Sequence, residues 1–168
     1  MKLESSKLIA KGMRQVGINF VSSLPSTNLS PLIADVMRDN EFTHVPVANE
    51  GDAVGICLGA YLGGKRPAFL AQNSGLTLAT YQLLVSQHWF NGFPLLMVID
   101  HAPGDFGDPS GWIFLGYGIQ VPKMLENFQI SYKIARDPET LEQDTIRAGR
   151  MATGTRKPVA LLVSGDRV

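Results

Sequence analysis

Short apolar runs alternate along the chain with longer segments in which apolar residues recur every three or four positions. The short runs, typical of buried strands, cover 18–23, 43–47, 67–71, 94–99 and 159–163. The helical segments cover 4–16, 29–39, 50–63, 77–89 and 137–152. Apolar strands separated by helices indicate a parallel sheet covered on both faces. The pattern predicts a single α/β domain over 1–168, with three α/β/α layers and a mostly parallel sheet of about six strands.

Composition narrows the class of protein. Fifteen basic and fifteen acidic residues cancel, and no basic stripe is present, so nucleic-acid binding is not expected. The longest apolar runs, such as 95–99, are too short to span a bilayer, and the first residues lack an apolar signal core. Cys57 is the only cysteine, which excludes an internal disulfide. We therefore expect a cytoplasmic protein without a membrane segment.

Ligands of open parallel sheets bind beyond the carboxyl ends of the strands. The segments predicted at that edge are 24–28, 49–52, 72–77 and 100–111. These loops hold most of the polar residues that could carry chemistry.

Glu50, at the start of a predicted helix, has two interpretations. Asn49 can cap the helix, and the helix dipole favours an acid in the first turn by about 0.3–1 kcal/mol. However, residues 53–64 contain no charged side chain, so the helix is expected to be buried nearly all round, within the protein or under a partner. A carboxylate at the end of such a helix is partly desolvated, which makes it a candidate catalytic group.

A near match to a phosphate-binding P-loop covers 59–66. Arg66 stands where that motif requires Ser or Thr, and the segment follows a helix rather than a strand. We interpret it as a helix C-terminus that ends at Gly63 and Gly64.

Other reactive residues give weak signals. His44, His88 and His101 lie far apart, so no metal ligand is predicted in this chain. The acids of the 100–108 loop could attract a cation, although loop acids are more often simply solvated. Cys57 lies inside the apolar helix, where a buried and unreactive thiol is expected.

Three segments together carry a family resemblance: 47–61, with Glu50 before a helix of small residues, 71–76, and 17–29. The chain resembles the pyrimidine-binding (Pyr) domain of thiamine-diphosphate-dependent enzymes, in particular the sulfopyruvate and phosphonopyruvate decarboxylases. In this family the equivalent glutamate hydrogen-bonds N1′ of the cofactor's aminopyrimidine and helps the cofactor to lose its C2 proton. The cofactor then attacks a 2-keto acid and accepts the electron pair as CO₂ leaves.

The resemblance also assigns site residues. Glu50 and His101 would be catalytic. The cofactor would contact Glu50, Pro25, Asn73, Ser74, Gly75 and Leu76. The substrate would contact Ser26, Thr27 and His101.

The family's diphosphate site is missing from the sequence. Its Gly-Asp-Gly motif and downstream Asn hold the diphosphate through a metal, whereas here Phe106 interrupts 104–107, and Gly165-Asp166 lies near the end of the sequence. The resemblance implies a second subunit that carries Gly-Asp-Gly and Asn and binds most of the Mg²⁺. Thiamine diphosphate would be shared in a hetero-oligomer, α2β2 or larger.

The predicted function is that of a Pyr-domain (alpha) subunit of a heteromeric 2-keto acid decarboxylase, similar to sulfopyruvate decarboxylase. Sulfonate- and phosphonate-specific members tend to carry Arg after the fourth strand, where this chain has Asp100-His101, so the keto acid itself stays open. Trp112, Phe114 and Tyr117 suggest a bulkier acceptor, or a core or interface patch. The alternatives are an acetolactate-synthase-like carboligase subunit and a non-catalytic, flavodoxin-like binding or regulatory module.

Overall fold

A computed structural model describes residues 1–88, 92–101 and 112–164. The strands are β1 (Phe20–Ser23), β2 (Thr43–Pro46), β3 (Pro67–Gln72), β4 (Leu95–Asp100), β5 (Ser131–Ala135) and β6 (Pro158–Val163). The helices are α1 (Leu3–Gln15), α2 (Ser30–Arg38), α3 (Glu50–Leu62), α4 (Asn73–Leu78), α5 (Thr80–His88), α6 (Trp112–Asn127) and α7 (Leu141–Thr155). A short 3₁₀ turn, Pro138–Thr140, precedes α7.

All strand pairs of the sheet are parallel, in the order β2-β1-β3-β4-β6-β5. The path through the sheet begins at β1, adds β2 on one side, and then crosses back to β3 and β4 on the other side. Parallel neighbours need crossover connections, and the helices supply them. The predicted three-layer α/β/α domain is confirmed.

Two apolar cores lie on opposite faces of the sheet because successive strand residues point to opposite faces. Leu96 and Val98 of β4 pack with α1, α2 and α7 on one face. Leu95, Met97 and Ile99 pack with α3 to α6 on the other face. Both faces of β4 are therefore buried, which is why its sequence is a continuous apolar run.

The C-terminus of α3 confirms that 59–66 is not a P-loop. Gly64 adopts a left-handed φ of +84°, and the N–H of Lys65 donates to the carbonyl of Ala60 at 2.9 Å. This arrangement closes a helix and satisfies its last carbonyls.

The prediction that α3 is buried nearly all round is wrong for the chain alone. Asp52, Gly55, Ile56, Gly59 and Leu62 are exposed, because no described element of this chain covers that face. The buried face carries Ala53, Val54 and Cys57.

The loop predicted at 72–75 is instead the end of β3 and the first turn of α4. The sequence assignment also missed α6 and β5. α6 contains Pro122, which interrupts a helical pattern. β5 is an edge strand whose residues alternate between exposed and partly buried, so it lacks a continuous apolar run.

Some sequence predictions fall outside the described residues. These are the acids Asp105 and Asp108, the interrupted motif at 104–107, Gly165-Asp166, and the side chains of His88, Trp112 and Phe114. Within the described parts of the chain, no three His, Cys, Asp or Glu residues group as metal ligands. No described helix is long and apolar enough to cross a membrane.

Candidate functional site

The carboxyl ends of four neighbouring strands, β2, β1, β3 and β4, bring the predicted loops to one edge of the sheet. The register pairs Ser23 with Pro46 and with Leu70, and Gln72 with Asp100. The turn after β1, the start of α3, the start of α4 and His101 therefore follow strand ends that lie side by side.

Glu50 is the first residue of α3 and is partly buried. Asn49 has an extended backbone, and its Oδ1 accepts the N–H of Gly51 at 2.8 Å. The predicted N-cap is confirmed. Because the capping role belongs to Asn49, the Glu50 carboxylate is left to make contacts across the site.

Those contacts include Gly75. A Cβ added to Gly75 would lie 1.9 Å from Oε1 of Glu50 and 2.5 Å from its carboxyl carbon. No side chain can occupy that space while Glu50 keeps this conformation. The sequence proposed Glu50 and Gly75 as parts of one site, and the fold places them in contact from separate helices.

The rest of α4 is held by its own hydrogen bonds. Asn73 is fully buried, and its Oδ1 accepts the N–H of Ser74 at 2.8 Å. Thr77 Oγ1 donates to the carbonyl of Ser74 at 2.6 Å. Leu76 is buried in the core between α4 and the sheet. Of these residues, Ser74 and Thr77 are partly exposed.

Asp100 organises the turn after β1. Its side chain is buried, with the residue 1% exposed, and it accepts hydrogen bonds from Ser26 Oγ at 3.3 Å and Asn28 Nδ2 at 3.2 Å. Ser26 Oγ also accepts the N–H of Leu29 at 3.4 Å. Sequence reasoning placed Asp100 only in an acidic loop. Its position at the end of a central strand was the available signal for this role.

The other predicted substrate residues differ in exposure. Pro25 and Thr27 are exposed, whereas Ser26 and His101 are buried. The backbone N–H of His101 donates to the carbonyl of Val163 in β6 at 2.8 Å. The 25–27 turn also lines a cavity of about 550 Å³ between α2 and β2.

Burial shifts the pKa values of two further titratable residues, His44 and Cys57. Ser23 Oγ and His44 Nε2 are hydrogen-bonded at 2.8 Å in the cavity between α2 and β2, and burial lowers the pKa of His44. Burial raises the pKa of the Cys57 thiol to about 12, outweighing a backbone hydrogen bond from Ser22 that lowers it. Cys57 is therefore protonated at neutral pH, as expected for a structural thiol.

The Glu50–Gly75 contact fits the chemistry of an aminopyrimidine. A carboxylate at a helix N-terminus that faces a glycine can accept a ring N–H, and the absent Cβ leaves room for the carboxylate. Of the predicted cofactor residues at this edge, Glu50 and Ser74 are partly exposed and could hold the ring, whereas Asn73 is fully buried behind them.

Residues 3–106 match the family model described as "Thiamine pyrophosphate enzyme, N-terminal TPP binding domain". The chain therefore belongs to the thiamine pyrophosphate enzyme family and corresponds to its N-terminal, pyrimidine-binding domain.

At least two relatives match this chain along nearly its whole length. The chain is 31% identical over 164 residues to sulfopyruvate decarboxylase subunit alpha of Methanococcus maripaludis, covering 96% of this chain and 95% of the relative. The subunit alpha of Methanothermobacter thermautotrophicus is 30% identical over 165 residues, with 97% of each chain covered. The chain is thus homologous, along nearly its whole length, to a decarboxylase subunit.

Solved structures support the fold. Benzoylformate decarboxylase from Polynucleobacter necessarius superposes with a TM-score of 0.74 at 18% identity, covering 97% of this chain and 30% of that one. At that identity the likeness concerns the fold alone.

Proposed function

We propose that this chain is the pyrimidine-binding subunit of a two-chain, thiamine-diphosphate-dependent decarboxylase that acts on a small 2-keto acid of the sulfopyruvate type. The observation that carries the proposal is the Glu50 carboxylate held against Gly75 at the carboxyl edge of the sheet. Relatives named as sulfopyruvate decarboxylase alpha subunits, matched end to end, support the reaction class.

Glu50 is the proton-handling residue of this chain. Its carboxylate would share a proton with N1′ of the aminopyrimidine, a charge-assisted hydrogen bond that is strong in a site shielded from water. When bound, thiamine diphosphate supplies the electron sink for decarboxylation. Gly75 leaves room for the carboxylate, and Asn49 fixes the helix end from which Glu50 projects.

Asp100 has a positioning role in the proposal. It holds Ser26 and Asn28, and so orients the exposed residues Pro25 and Thr27 of the turn after β1. These residues and His101 are proposed to meet the substrate. His101 is a poorer match for a sulfonate than the Arg of sulfonate-specific members, because Arg presents paired donors.

The partner chain is proposed to cover the exposed apolar face of α3. This face carries Gly55, Ile56, Gly59 and Leu62, and it starts at Glu50. Tyr81, on the adjacent helix α5, is 66% exposed. An apolar surface that continues from a proposed cofactor site supports a partner that brings the Gly-Asp-Gly motif, the Asn and most of the Mg²⁺ to the same cofactor.

The test is reconstitution with the product of a neighbouring gene that carries Gly-Asp-Gly and a downstream Asn. CO₂ release from sulfopyruvate and from pyruvate is measured with thiamine diphosphate and Mg²⁺. CO₂ release should require both chains. Glu50→Gln should lower turnover by about 100-fold or more, the usual contribution of a positioned acid or base.

Glu4→Gln is the matched control. Glu4 is exposed in the first turn of α1, on the other face of the sheet, so both substitutions replace a glutamate near a helix N-terminus by glutamine. Near-normal turnover of Glu50→Gln, or equal losses in both variants, would contradict the role of Glu50. Activity only with a second carbonyl substrate would favour a carboligase, and the lack of any partner gene would favour a non-catalytic module.

A further inference from the structure

A cavity of about 490 Å³ lies at the amino edge of the sheet, opposite Glu50. Its volume is within the range of about 300–1,000 Å³ typical of small-molecule sites. The apolar part of its wall consists of Ile18, Tyr61, Pro67, Pro94, Leu96 and Ala152. It lies where α3 and α7 end and where β3 and β4 begin.

Two arginines line the same cavity, Arg66 before β3 and Arg156 at the end of α7. No Asp or Glu is among its described lining residues. Among the residues that the structure describes, neither guanidinium lies within 4.0 Å of a carboxylate. Among the described residues, the side chain of Arg66 makes one hydrogen bond, from Nη1 to the carbonyl of Val16 at 3.2 Å.

The other cavities with cationic walls are different. Lys133 and Arg147 share one cavity with Asp144 and interact with its carboxylate. Arg14 shares another with Asp39 and forms an ion pair with it. In those cavities a described carboxylate supplies the counter-charge, whereas Arg66 and Arg156, both exposed, have no carboxylate partner among the described residues.

The ends of α1, α3 and α7 neutralise only part of this charge. Each helix C-terminus carries about half a negative charge, and Arg66 donates to the carbonyl of Val16 at the end of α1, so the three ends offset about one and a half of the two arginine charges. Cations are favoured at helix ends, but that preference does not explain an apolar cavity between them. A ligand with a negative group and an apolar body would satisfy both features.

We propose that this cavity binds a small organic phosphate monoester, with Arg66 and Arg156 holding the phosphate and the apolar wall holding the organic group. Guanidinium groups bind phosphate through paired N–H donors, and two of them match a dianion. Tyr61 offers an aromatic surface to the organic group. The site is independent of the proposed decarboxylase activity, because it shares no residue with the Glu50 edge.

The test uses the full ¹⁵N-labelled chain and phenyl phosphate as the probe. Amide shifts should concentrate on the neighbourhood of Tyr61, Leu96 and Thr153. Phenol, which lacks the charge, and inorganic phosphate, which lacks the apolar body, should each bind at least about tenfold more weakly, as expected when one of two contributions is removed.

Charge-matched variants test whether Arg66 and Arg156 are the residues that bind phenyl phosphate. Arg66→Gln with Arg156→Gln should weaken phenyl phosphate binding by about tenfold or more, because charge-assisted hydrogen bonds are lost. Lys65→Gln with Lys157→Gln removes the same charge from neighbours that are not among the described lining residues, and it should leave binding nearly unchanged. The single variant Arg156→Gln is the control for misfolding, because it leaves the described hydrogen bond from Arg66 to Val16 intact.

Equal weakening in the two double variants would overturn the proposal, as would shifts centred on Glu50 or no binding of phenyl phosphate. Tighter binding of benzoate than of phenyl phosphate would contradict the assignment of a phosphate group.

Discussion

Helices α3 and α7 lie on opposite faces of the same sheet and differ in the residues that their exposed faces carry. Gly149 of α7 packs against Val16 at the end of α1, where an added Cβ would lie 2.6 Å from Val16 Cγ2. On α3, an added Cβ at Gly55 or Gly59 would meet nothing within 4 Å. The exposed residues of α7 include Gln143, Arg147 and Arg150, whereas those of α3 are mostly apolar or glycine.

The difference separates a helix whose close contacts all lie within this chain from a helix whose exposed apolar face has no described neighbour. Gly149 of α7 allows a close approach that α1 makes, and the exposed face of α7 is largely polar. Gly51 of α3 is packed against Gln82 in the same way, whereas Gly55 and Gly59 on the exposed face leave room for an approach that no described element makes. We infer that a second chain makes it, and the predictions below test that difference from the largest expected effect to the smallest.

Gly75→Ala should have the largest effect on the cofactor site. The added Cβ cannot coexist with the observed position of Glu50 Oε1, so the carboxylate must move, and a displacement of this size can cost about 100-fold in turnover. The measurement is CO₂ release by the reconstituted pair. Gly154→Ala is the control on α7, where an added Cβ meets nothing within 4 Å, and it should retain activity. Retained activity in Gly75→Ala would contradict the described geometry.

Ile56→Asp should weaken association with the partner chain. Ile56 is 36% exposed on α3, and burying a charge there should reduce affinity by about 30-fold or more, equivalent to about 2 kcal/mol. Met151→Asp is the matched control, because it introduces the same charge at an apolar residue of α7 that is 48% exposed. Calorimetric titration of each variant with the partner chain should show a loss of affinity for Ile56→Asp alone. Equal losses of affinity in the two variants would contradict the distinction between the two helices.

Gly59→Ala should act with opposite signs on the chain and on the complex. Replacing an exposed helical glycine stabilises the isolated chain by about 0.5–1 kcal/mol, which urea unfolding would measure. The same methyl group should cost about 1–3 kcal/mol in partner binding if α3 is closely approached. Gly154→Ala should show the stabilisation without the binding loss. A gain in both quantities for Gly59→Ala would mean that nothing packs closely on α3.

The smallest effect is expected at His44, far from α3. Burial makes the folded-state pKa lower than the unfolded value of about 6.5, so below that pH the unfolded chain binds the proton more readily. Stability should therefore fall as the pH drops from 7.5 to 5.5. In His44→Gln this decrease should be smaller; an unchanged decrease would assign it to other groups.

Sequence pattern predicted the layers well because β3, β4 and β6 are buried on both faces and read as apolar runs. It failed at β5, where edge exposure makes the residues alternate, and at α6, where Pro122 interrupts the pattern. Such features depend on position in the sheet rather than on local propensity.

The candidate site was predictable only in part. The resemblance grouped Glu50 with residues 73–76, and the fold places Glu50 against Gly75. The bonds from Ser26 and Asn28 to Asp100 join residues more than 70 positions apart, so no local pattern could indicate them. The sequence also left open what covers α3, because an apolar helix looks the same in sequence whether its own chain or a partner covers it.

Hydrogen exchange on α3 tests the central claim most directly. Amide exchange is compared between the chain alone and the reconstituted pair with thiamine diphosphate and Mg²⁺. We expect strong protection of the segment from Gly55 to Leu62 on pairing, and little change in α7. Unchanged exchange in α3, or protection confined to α7, would contradict the conclusion that α3 and Glu50 form one half of a site completed by a second chain.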